Sequence, residues 1–369
     1  MSHDTDTDAV AAGLAEIAEH GPHFVEDANG IYGDALLLVG RVLGGHPAAH
    51  EVVATAVDAT GMDLEADGVP FRVAFLEPAA DVEGVLEQAL ALVALAHEQS
   101  GDETVTSAEK AAAELQAART FPVEVLDVED VQPHLRRITV QGPSLEHFQP
   151  KGPDTCFYVF IAPEGKPLLV DTDSTYESIV ATPEEDRPLG AYYTLWDWRP
   201  EVLELDLLFV LHGDEGPLSA WAARAEVGDA LALWGPRDGW NPHEGADGYV
   251  LVADETGQPA VAQIVASLPD DVRVQAIVET NTEADHLTFP EHPRLELTRV
   301  HREGAAPGTT TLLEDAVRGL DWPSGSPFVW GGAESGAMTA IRTHVRKDRG
   351  VERAACLLTG YWRLGDERH

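Results

Sequence analysis

The sequence predicts a multi-domain protein: an N-terminal α+β domain, then an antiparallel β-barrel, then a C-terminal α/β domain with a parallel sheet. Three observations predict this fold class. The chain has 369 residues, which is more than one ordinary hydrophobic core contains. Short strands separated by Gly/Pro turns fill its middle, as is typical of a barrel. Apolar strands then alternate with helices, which indicates a parallel sheet with crossover helices.

The first predicted domain covers residues 1–115 and mixes helices with strands. Helical patterns run over residues 9–20, 34–43 and 81–97, and the last of these repeats apolar residues on one face. The segments VVATAVDATGMDL and VPFRVAFLE lie between the second and third helices and are strand-like. A linker and a connecting helix lead out of this domain.

The predicted barrel covers residues 120–243. Its strand-like segments are FPVEVLDVEDV, LRRITVQGP, TCFYVFIAP, PLLVDTD, YYTLWDW, LELDLLFVLH and ALALWGPRD. Residues 203–222 are the most informative part, because an alternating strand runs directly into a Gly/Pro turn and a short helix. In the strand, Leu203, Leu205 and Leu207 lie on one face, with Glu204 and Asp206 on the other.

The turn after this strand is a candidate phosphate site. Backbone N–H groups that lack an intrahelical partner at a helix start can hold the anionic phosphate of a dinucleotide. The candidate residues are His212, Gly213, Gly216, Pro217 and Ser219. The alternative is that the histidine ends the strand and the glycines only make the turn.

The third predicted domain covers residues 247–369. Ligands of parallel sheets bind beyond the carboxyl ends of the strands. That rule places the loops DETGQP (254–259) and GGAES (331–335) at the functional edge of the sheet.

Composition excludes several classes of function. The formal net charge of −40 argues against nucleic-acid binding. No apolar run is long enough to span a bilayer, and the start lacks a secretory signal, so a cytoplasmic location is expected. The two cysteines are far apart, and no CxxC, Walker, HExxH or nucleophile-elbow motif occurs, so no catalytic residue and no metal site are predicted. Residues 336–369, in contrast, carry more basic than acidic residues.

A barrel followed by a nucleotide-binding α/β domain is the order of the ferredoxin-reductase-like flavoenzymes. Within that group, the chain from residue 121 onward resembles the siderophore-interacting protein family. The matching segments are LRRITVQGPSLEHF, YYT, FVLHGDEGPLSAWA, VGDALALWGPR, DETGQPA, VWGGAES and GYWRLG. The resemblance implies bound FAD in the barrel, NADPH or NADH as electron donor, and a ferric siderophore as substrate. Residues 1–115 resemble the small domain of haem-utilisation proteins.

The resemblance also assigns site residues. The family motif R-x-Y-T, whose Arg neutralises a flavin phosphate, reads Ala191, Tyr192, Tyr193 and Thr194 here. Tyr193 and Thr194 are therefore predicted flavin contacts, and the alternative is that both are ordinary strand residues. Loss of a charge-assisted phosphate contact costs about 1.5–3 kcal/mol, or roughly one to two decades in affinity. Arg187 or Arg199 would have to supply the charge instead.

Further predicted cofactor contacts lie at the edge of the parallel sheet. They are Asp254, Glu255, Thr256, Gly332, Glu334 and Trp362. The acidic residues among them could equally cap the helices that follow, and Trp362 could be a lid on the flavin or a core residue. Arg346, Lys347 and Arg363 are the predicted substrate contacts, because basic residues concentrate there in a very acidic chain; a solvated helix face is the alternative.

The sequence thus predicts an FAD-dependent, NAD(P)H-using ferric-siderophore reductase that releases iron in the cytoplasm. Two alternatives stay open. Ala191 would also suit a degenerate flavin site that serves as a ferric-siderophore or haem binding module. A general flavin reductase or diaphorase is the other alternative. The sequence does not indicate an oligomeric state.

Overall fold

The computed structural model describes residues 3–212 and 216–365. Within these ranges the chain divides into two compact units between Gln116 and Ala117. The predicted fold class is confirmed, because the described residues form an α+β unit, a closed antiparallel barrel and a parallel five-stranded sheet.

The first unit packs helices against a three-stranded antiparallel sheet of order β1-β2-β3. Its elements are α1 (His3–Gly30), α2 (Gly33–Val42), β1 (Val52–Asp58), β2 (Gly61–Ala66), β3 (Val69–Ala74), α3 (Val82–Ser100) and α4 (Ser107–Ala117). Helix α3 begins where Asp81 Oδ1 accepts the Gly84 N–H at 2.8 Å, and it ends at Gly101, whose φ is +69°. Apolar residues of the helices and of β1 and β2 form one core, which includes Leu36, Leu64 and Leu92.

The second unit begins with the barrel, whose six described strands close in the order β4-β5-β8-β7-β6-β9. They are β4 (Arg119–Gln132), β5 (Leu135–Gln141), β6 (Thr155–Ile161), β7 (Leu189–Arg199), β8 (Glu204–Val210) and β9 (Ala230–Asp238). Two short helices, α5 (Tyr176–Val180) and α6 (Pro217–Arg224), lie between them in the chain. Phe157, Ile138 and Leu233 are fully buried inside the barrel.

The predicted strand PLLVDTD is wrong. Residues 167–173 form a loop, and Leu169 in it is 70% exposed. A turn ends this loop, because Asp171 N–H donates to Ser174 Oγ and Ser174 Oγ donates to Asp171 Oδ1. Since β9 pairs directly with both β4 and β6, the barrel closes without this segment.

Strand β8 is buried on both faces. Leu205, Leu207 and Phe209 point into the barrel core, whereas Leu208 packs in the core of the α/β part. The predicted polar face is therefore not a solvent face: Asp206 is 3% exposed and pairs with Arg199.

The α/β part is a parallel sheet of order β12-β11-β10-β13-β14 with helices on its faces. Its elements are β10 (Gly248–Ala253), α7 (Gln258–Ser267), β11 (Arg273–Thr280), β12 (Leu295–His301), α8 (Leu312–Arg318), β13 (Phe328–Glu334), α9 (Ser335–Thr343) and β14 (Cys356–Trp362). Strand β10 is buried at every position, as expected for the centre of a parallel sheet. Across the described residues, no helix combines the length and apolar character needed to cross a membrane.

Candidate functional site

Strand β7 places Tyr193 and Thr194 on the barrel. The Tyr193 ring packs on Phe209 with ring centroids 4.1 Å apart, and burial raises its pKa. Thr194 is 7% exposed, and its hydroxyl has no hydrogen bond to any residue in the described part of the chain. Thr194 Oγ1 is not one of the fully buried polar atoms that lack a partner, so it keeps access to solvent. This hydroxyl is therefore available to hydrogen-bond a ligand.

Arg199 and Arg187, the two arginines near the motif, have different ion-pair and hydrogen-bond partners. Arg199 makes ion pairs with three carboxylates, those of Asp197, Glu204 and Asp206, which raise its pKa. Arg187 donates through Nε to the carbonyl oxygen of Thr182 at 3.2 Å. The sequence suggested Arg187 and Arg199 as substitutes for the motif Arg. None of these contacts joins either arginine to Ala191.

Arg237 on β9 is a third cation in this region. Cys156 on β6 pairs with Thr194 on one side and with Arg237 on the other, so the three residues form one row across the barrel. Arg237 Nη1 donates to Tyr192 Oη at 2.8 Å, and its guanidinium lies 5.5 Å from the centre of that ring. The row places the backbone of Arg237 about 10 Å from that of Thr194, at two strand spacings.

The Gly/Pro turn leads into α6 as predicted. Gly216 precedes the first helical residue, Pro217. The backbone N–H of the exposed His212 donates to Oγ of the buried Ser219 at 3.0 Å, which ties the strand end to the helix. Gly213 lies outside the described residues.

Asp254 is a hydrogen-bond centre at the carboxyl edge of the parallel sheet. Its Oδ1 accepts from Thr256 N at 2.8 Å and Thr256 Oγ1 at 2.6 Å. Its Oδ2 accepts from Trp362 Nε1 at 2.7 Å and Glu334 N at 3.1 Å. Burial, and secondarily the charge of Glu255, raises the pKa of Asp254 to about 6. This carboxyl therefore joins the ends of β10, β13 and β14.

Glu255 belongs to a buried ion network. Its Oε2 accepts from Arg302 Nη1 at 2.7 Å, and the same guanidinium nitrogen lies 3.3 Å from Glu279 Oε1. Arg302 is 7% exposed, and burial raises the pKa of Glu279. The charge of Glu255 is thus compensated inside the protein, so that it does not face a ligand phosphate as a bare anion.

Glu334 and Gly332 shape the neighbouring loop. Glu334 Oε2 accepts from Ala337 N at 2.9 Å and so caps α9, which is the capping alternative stated above. Its Oε1 accepts from Leu364 N at 3.2 Å. A Cβ at Gly332 would lie 2.6 Å from the Tyr361 ring, so only glycine lets that ring lie against β13.

The second unit of the chain is similar to known protein families. The siderophore-interacting FAD-binding domain matches residues 124–240, and the siderophore-interacting protein model matches residues 246–365. A siderophore utilization protein of known structure from T. fusca is 31% identical, and the match covers 68% of this chain and 95% of that one with a TM-score of 0.61. The chain belongs to the siderophore-interacting protein family.

Two further relatives agree with this assignment. The siderophore-interacting protein SipS from Aeromonas hydrophila is 28% identical, with 67% of this chain and 93% of that chain covered and a TM-score of 0.57. The ferric vibriobactin reductase ViuB from Vibrio cholerae is 26% identical over 252 residues, which are 65% of this chain and 90% of ViuB. The predicted family is confirmed. The resemblance of residues 1–115 to haem-utilisation proteins stays a prediction.

The basic residues of this siderophore-interacting protein do not form one patch. Helix α9 runs back from the carboxyl edge of the sheet, and Arg346 and Lys347 follow it in a π-helical turn, His344–Asp348. Arg346 there is close enough to Cys356, the first residue of β14, to act on its pKa. Arg363 follows the last residue of β14 and lies at the opposite edge, about 20 Å away along the strand. The structure therefore separates Arg363 from the other two predicted substrate contacts.

Sequence reasoning missed Asp154, a buried carboxyl between the barrel and the parallel sheet. It is 5% exposed and accepts from Trp330 Nε1 at 3.2 Å and Tyr361 Oη at 3.4 Å. Burial, and secondarily the charge of Asp238, raises its pKa to about 8. No sequence pattern marks this residue, because its partners come from β13 and β14.

Proposed function

We propose that this chain is an FAD-dependent ferric-siderophore reductase that takes its electrons from NADPH or NADH. The observation that carries the proposal is the hydroxyl of the largely buried Thr194, which has no hydrogen-bond partner in the described chain and keeps access to solvent, beside Tyr193 in a barrel of the siderophore-interacting FAD-binding family. The chemistry that bound FAD supplies is the conversion of a two-electron hydride donation into single-electron transfer to ferric iron.

The residues of the barrel fit a flavin. Thr194 offers a hydrogen bond and Tyr193 an aromatic surface fixed by Phe209. For the flavin phosphates we assign the turn residues His212, Gly213, Gly216, Pro217 and Ser219, together with the charge of Arg237. Arg237 would thus substitute for the motif Arg that Ala191 lacks.

The carboxyl edge of the parallel sheet fits the nicotinamide donor. A loop with two carboxylates, Asp254 and Glu255, would repel a phosphate if both faced it. Their carboxylates are instead committed to Thr256, Trp362 and Arg302, so neither would face a phosphate as an unpaired anion. We assign Asp254, Glu255, Thr256, Gly332 and Glu334 to the support of this loop, and Trp362 to a ring contact.

The substrate assigned here is a ferric siderophore, because ViuB carries the name ferric vibriobactin reductase. Reduction weakens the hold of hard oxygen ligands on iron, so no protein acid or base is required for release. Arg363 is placed to attract a negatively charged chelate at the carboxyl edge, whereas Arg346 and Lys347 lie at the other edge. We place the activity in the cytoplasm, where reduced nicotinamide cofactors are present.

The test is FAD binding followed by turnover. FAD retained after desalting is measured by absorbance, and ferrous iron is captured by a ferrous-specific chelator after addition of NADPH or NADH and a ferric siderophore. Thr194→Val should weaken FAD binding by about tenfold, the effect of one hydrogen bond, and Thr298→Val on the exposed face of β12 should not. Retained flavin without a preference for ferric siderophores over ferricyanide would indicate a general diaphorase instead.

A second candidate function is a ferric-siderophore or haem binding module with a degenerate flavin site. Ala191 favours it, since the residue cannot contact a phosphate as the motif Arg does. Wild-type protein that retains no flavin, yet shows saturable quenching of tryptophan fluorescence by a ferric siderophore or haem, would support this candidate and exclude the reductase.

A further inference from the structure

Two histidines and a glutamate meet at the outer part of the parallel sheet. Thr280, the last residue of β11, pairs with His301, the last residue of β12, so both strands end at one place. The chain after β11 forms the 3-10 turn Glu283–Asp285 and then His286. The His286 and His301 ring centroids are 5.0 Å apart, and His301 Nε2 lies 3.1 Å from Glu283 Oε2.

The buried imidazole ring of His286 lacks hydrogen bonds. His286 is 6% exposed, and neither Nδ1 nor Nε2 of its ring has a partner among the described residues. Nδ1 of His301 is likewise without a partner there. Nearly all buried polar groups in proteins are hydrogen-bonded, and each one that is not costs about 1–3 kcal/mol. A polar ring buried beside a carboxylate without a partner points to a bound ligand.

We propose that Glu283, His286 and His301 form a binding site for a divalent first-row transition-metal cation. Two imidazoles and one carboxylate are a ligand set for Zn²⁺ and Fe²⁺ in proteins, and three protein ligands leave further coordination positions open. This inference is independent of the proposed reductase function.

The three side chains are close enough to share one ion after a modest movement. One ligand atom from each of them lies within 4.8 Å of the other two. Two ligands about 2.1 Å from one ion at a tetrahedral angle are roughly 3.4 Å apart, so a pair at the 4.8 Å limit closes by about 1.4 Å. Glu283, whose side chain is 68% exposed, is free to supply part of this movement.

The surroundings admit a cation. Glu283 and His286 line an open cleft of about 770 Å³, which provides access from solvent. Asp270 and Glu291 also line this cleft and make it attractive to a cation. The positive charge of Arg299 lies 3.8 Å from Glu283 Oε1, which leaves Glu283 Oε2 facing His301 for the metal.

The test is titration of chelator-treated, desalted full-length protein with Zn²⁺ by calorimetry, in a large excess of magnesium that occupies the acidic surface. We expect saturable binding of one Zn²⁺ per chain. Glu283→Gln and His301→Gln should each weaken it by at least about tenfold. The matched control is His147→Gln, an exposed histidine that is not part of this cluster, and it should bind as the wild type does.

A thermal readout separates lost ligation from lost folding. Saturating Zn²⁺ should raise the Tm of the wild type and of His147→Gln but not that of Glu283→Gln, whose exposed side chain can be changed without disturbing the core. The proposal is overturned if the wild type shows no saturable binding above the magnesium background. It is equally overturned if Glu283→Gln and His301→Gln, both folded by circular dichroism, bind Zn²⁺ as tightly as the wild type.

Discussion

At the scale of single residues, two buried aspartates of the second unit differ in how their carboxylates are held. Asp254 accepts four hydrogen bonds, two of them from Thr256, and burial raises its pKa to about 6. Asp154 accepts longer bonds from Trp330 and Tyr361, and its pKa is raised further, to about 8. Fewer and longer donor contacts stabilise the anion less, so Asp154 keeps its proton over a wider range of pH.

This difference predicts how stability depends on pH. An unfolded aspartate loses its proton near pH 3.9, but folded Asp154 keeps it up to about pH 8, so folding takes up a proton between these values. The stability that protonated Asp154 contributes is complete below about pH 4 and is lost as pH rises through about 8. The loss is at most about 1.4 kcal/mol per pH unit. The raised pKa of Asp254 lowers the stability in the same direction as pH rises, up to about pH 6.

Asp154→Asn removes this titration and keeps an acceptor for Trp330 Nε1. We expect the free energy of unfolding of the wild type to fall relative to that of the variant as pH rises from about 5 to about 8. Chemical denaturation over this range measures it. Asp173→Asn, a substitution at an exposed loop aspartate, should follow the wild type. Parallel profiles for wild type and Asp154→Asn would show that the carboxyl is ionised throughout.

Ala191 allows a second prediction for a single residue. Ala191→Arg restores the charge of the family motif, and a charge-assisted hydrogen bond to a phosphate contributes about 1.5–3 kcal/mol. FAD binding should therefore tighten about tenfold to a hundredfold, as measured by fluorescence titration. Ala191→Gln, of similar length but uncharged, is the control and should gain less. Unchanged affinity would mean that another cation, such as Arg237, already holds that phosphate.

Sequence reasoning could propose some candidate site residues and could not find others, for a physical reason. Thr194 and Tyr193 lie next to each other in one strand, so a local motif predicts them. Asp154 is defined by contacts with Trp330 and Tyr361, which lie 176 and 207 positions further along the chain. No local pattern records a burial that depends on such distant partners.

At the scale of elements, periodicity predicted well where an element is long or central and failed where it is short or unpaired. The helical pattern over residues 81–97 is confirmed as α3 (Val82–Ser100). The short helix α8 was not predicted, because its seven residues give too little periodicity. The strand predicted for residues 167–173 finds no neighbour, since β9 already pairs with both β4 and β6. The cluster of Glu283, His286 and His301 that we propose as a metal site was not predicted either, because it depends on the pairing of β11 with β12.

The packing of β13 against β14 predicts the effect of one methyl group. Gly332→Ala would place Cβ 2.6 Å from the Tyr361 ring, so the ring must move. We expect a loss of about 1–3 kcal/mol in the free energy of unfolding, as for other overpacked core positions. The movement would also disturb the neighbouring Trp362, whose fluorescence emission should shift.

The control for this prediction is Gly319→Ala. Gly319 follows α8, and a Cβ there meets its nearest atom at an ordinary contact distance of 3.4 Å. Its φ of −79° suits alanine, so the change should be close to neutral. Equal effects of the two substitutions would mean that the Tyr361 ring is not tightly packed on β13.

At the scale of the whole molecule, electrostatics is dominated by 64 acidic residues against 24 basic ones. Several of the basic residues each form ion pairs with more than one acidic residue. In the first unit, Arg72 pairs with Asp58 and Asp63. In the second unit, Arg199 and Arg302 each form ion pairs with more than one carboxylate. Acidic residues exceed basic ones by 40, so most carboxylates have no opposite charge to offset them, and their mutual repulsion opposes the compact state.

This imbalance predicts that salt stabilises the protein. The Debye length falls from about 10 Å at 0.1 M salt to about 3 Å at 1 M, which screens repulsion between carboxylates that are far apart more strongly than it weakens ion pairs in contact. Surface ion pairs contribute only about 0–1 kcal/mol each, so their partial loss is small. We therefore expect the Tm to rise steadily as NaCl increases over that range. KCl at equal ionic strength is the control and should act alike, because screening depends on ionic strength. A Tm that falls, or that responds to only one of the two salts, would show that ion pairs or specific cation binding outweigh the net charge of −40.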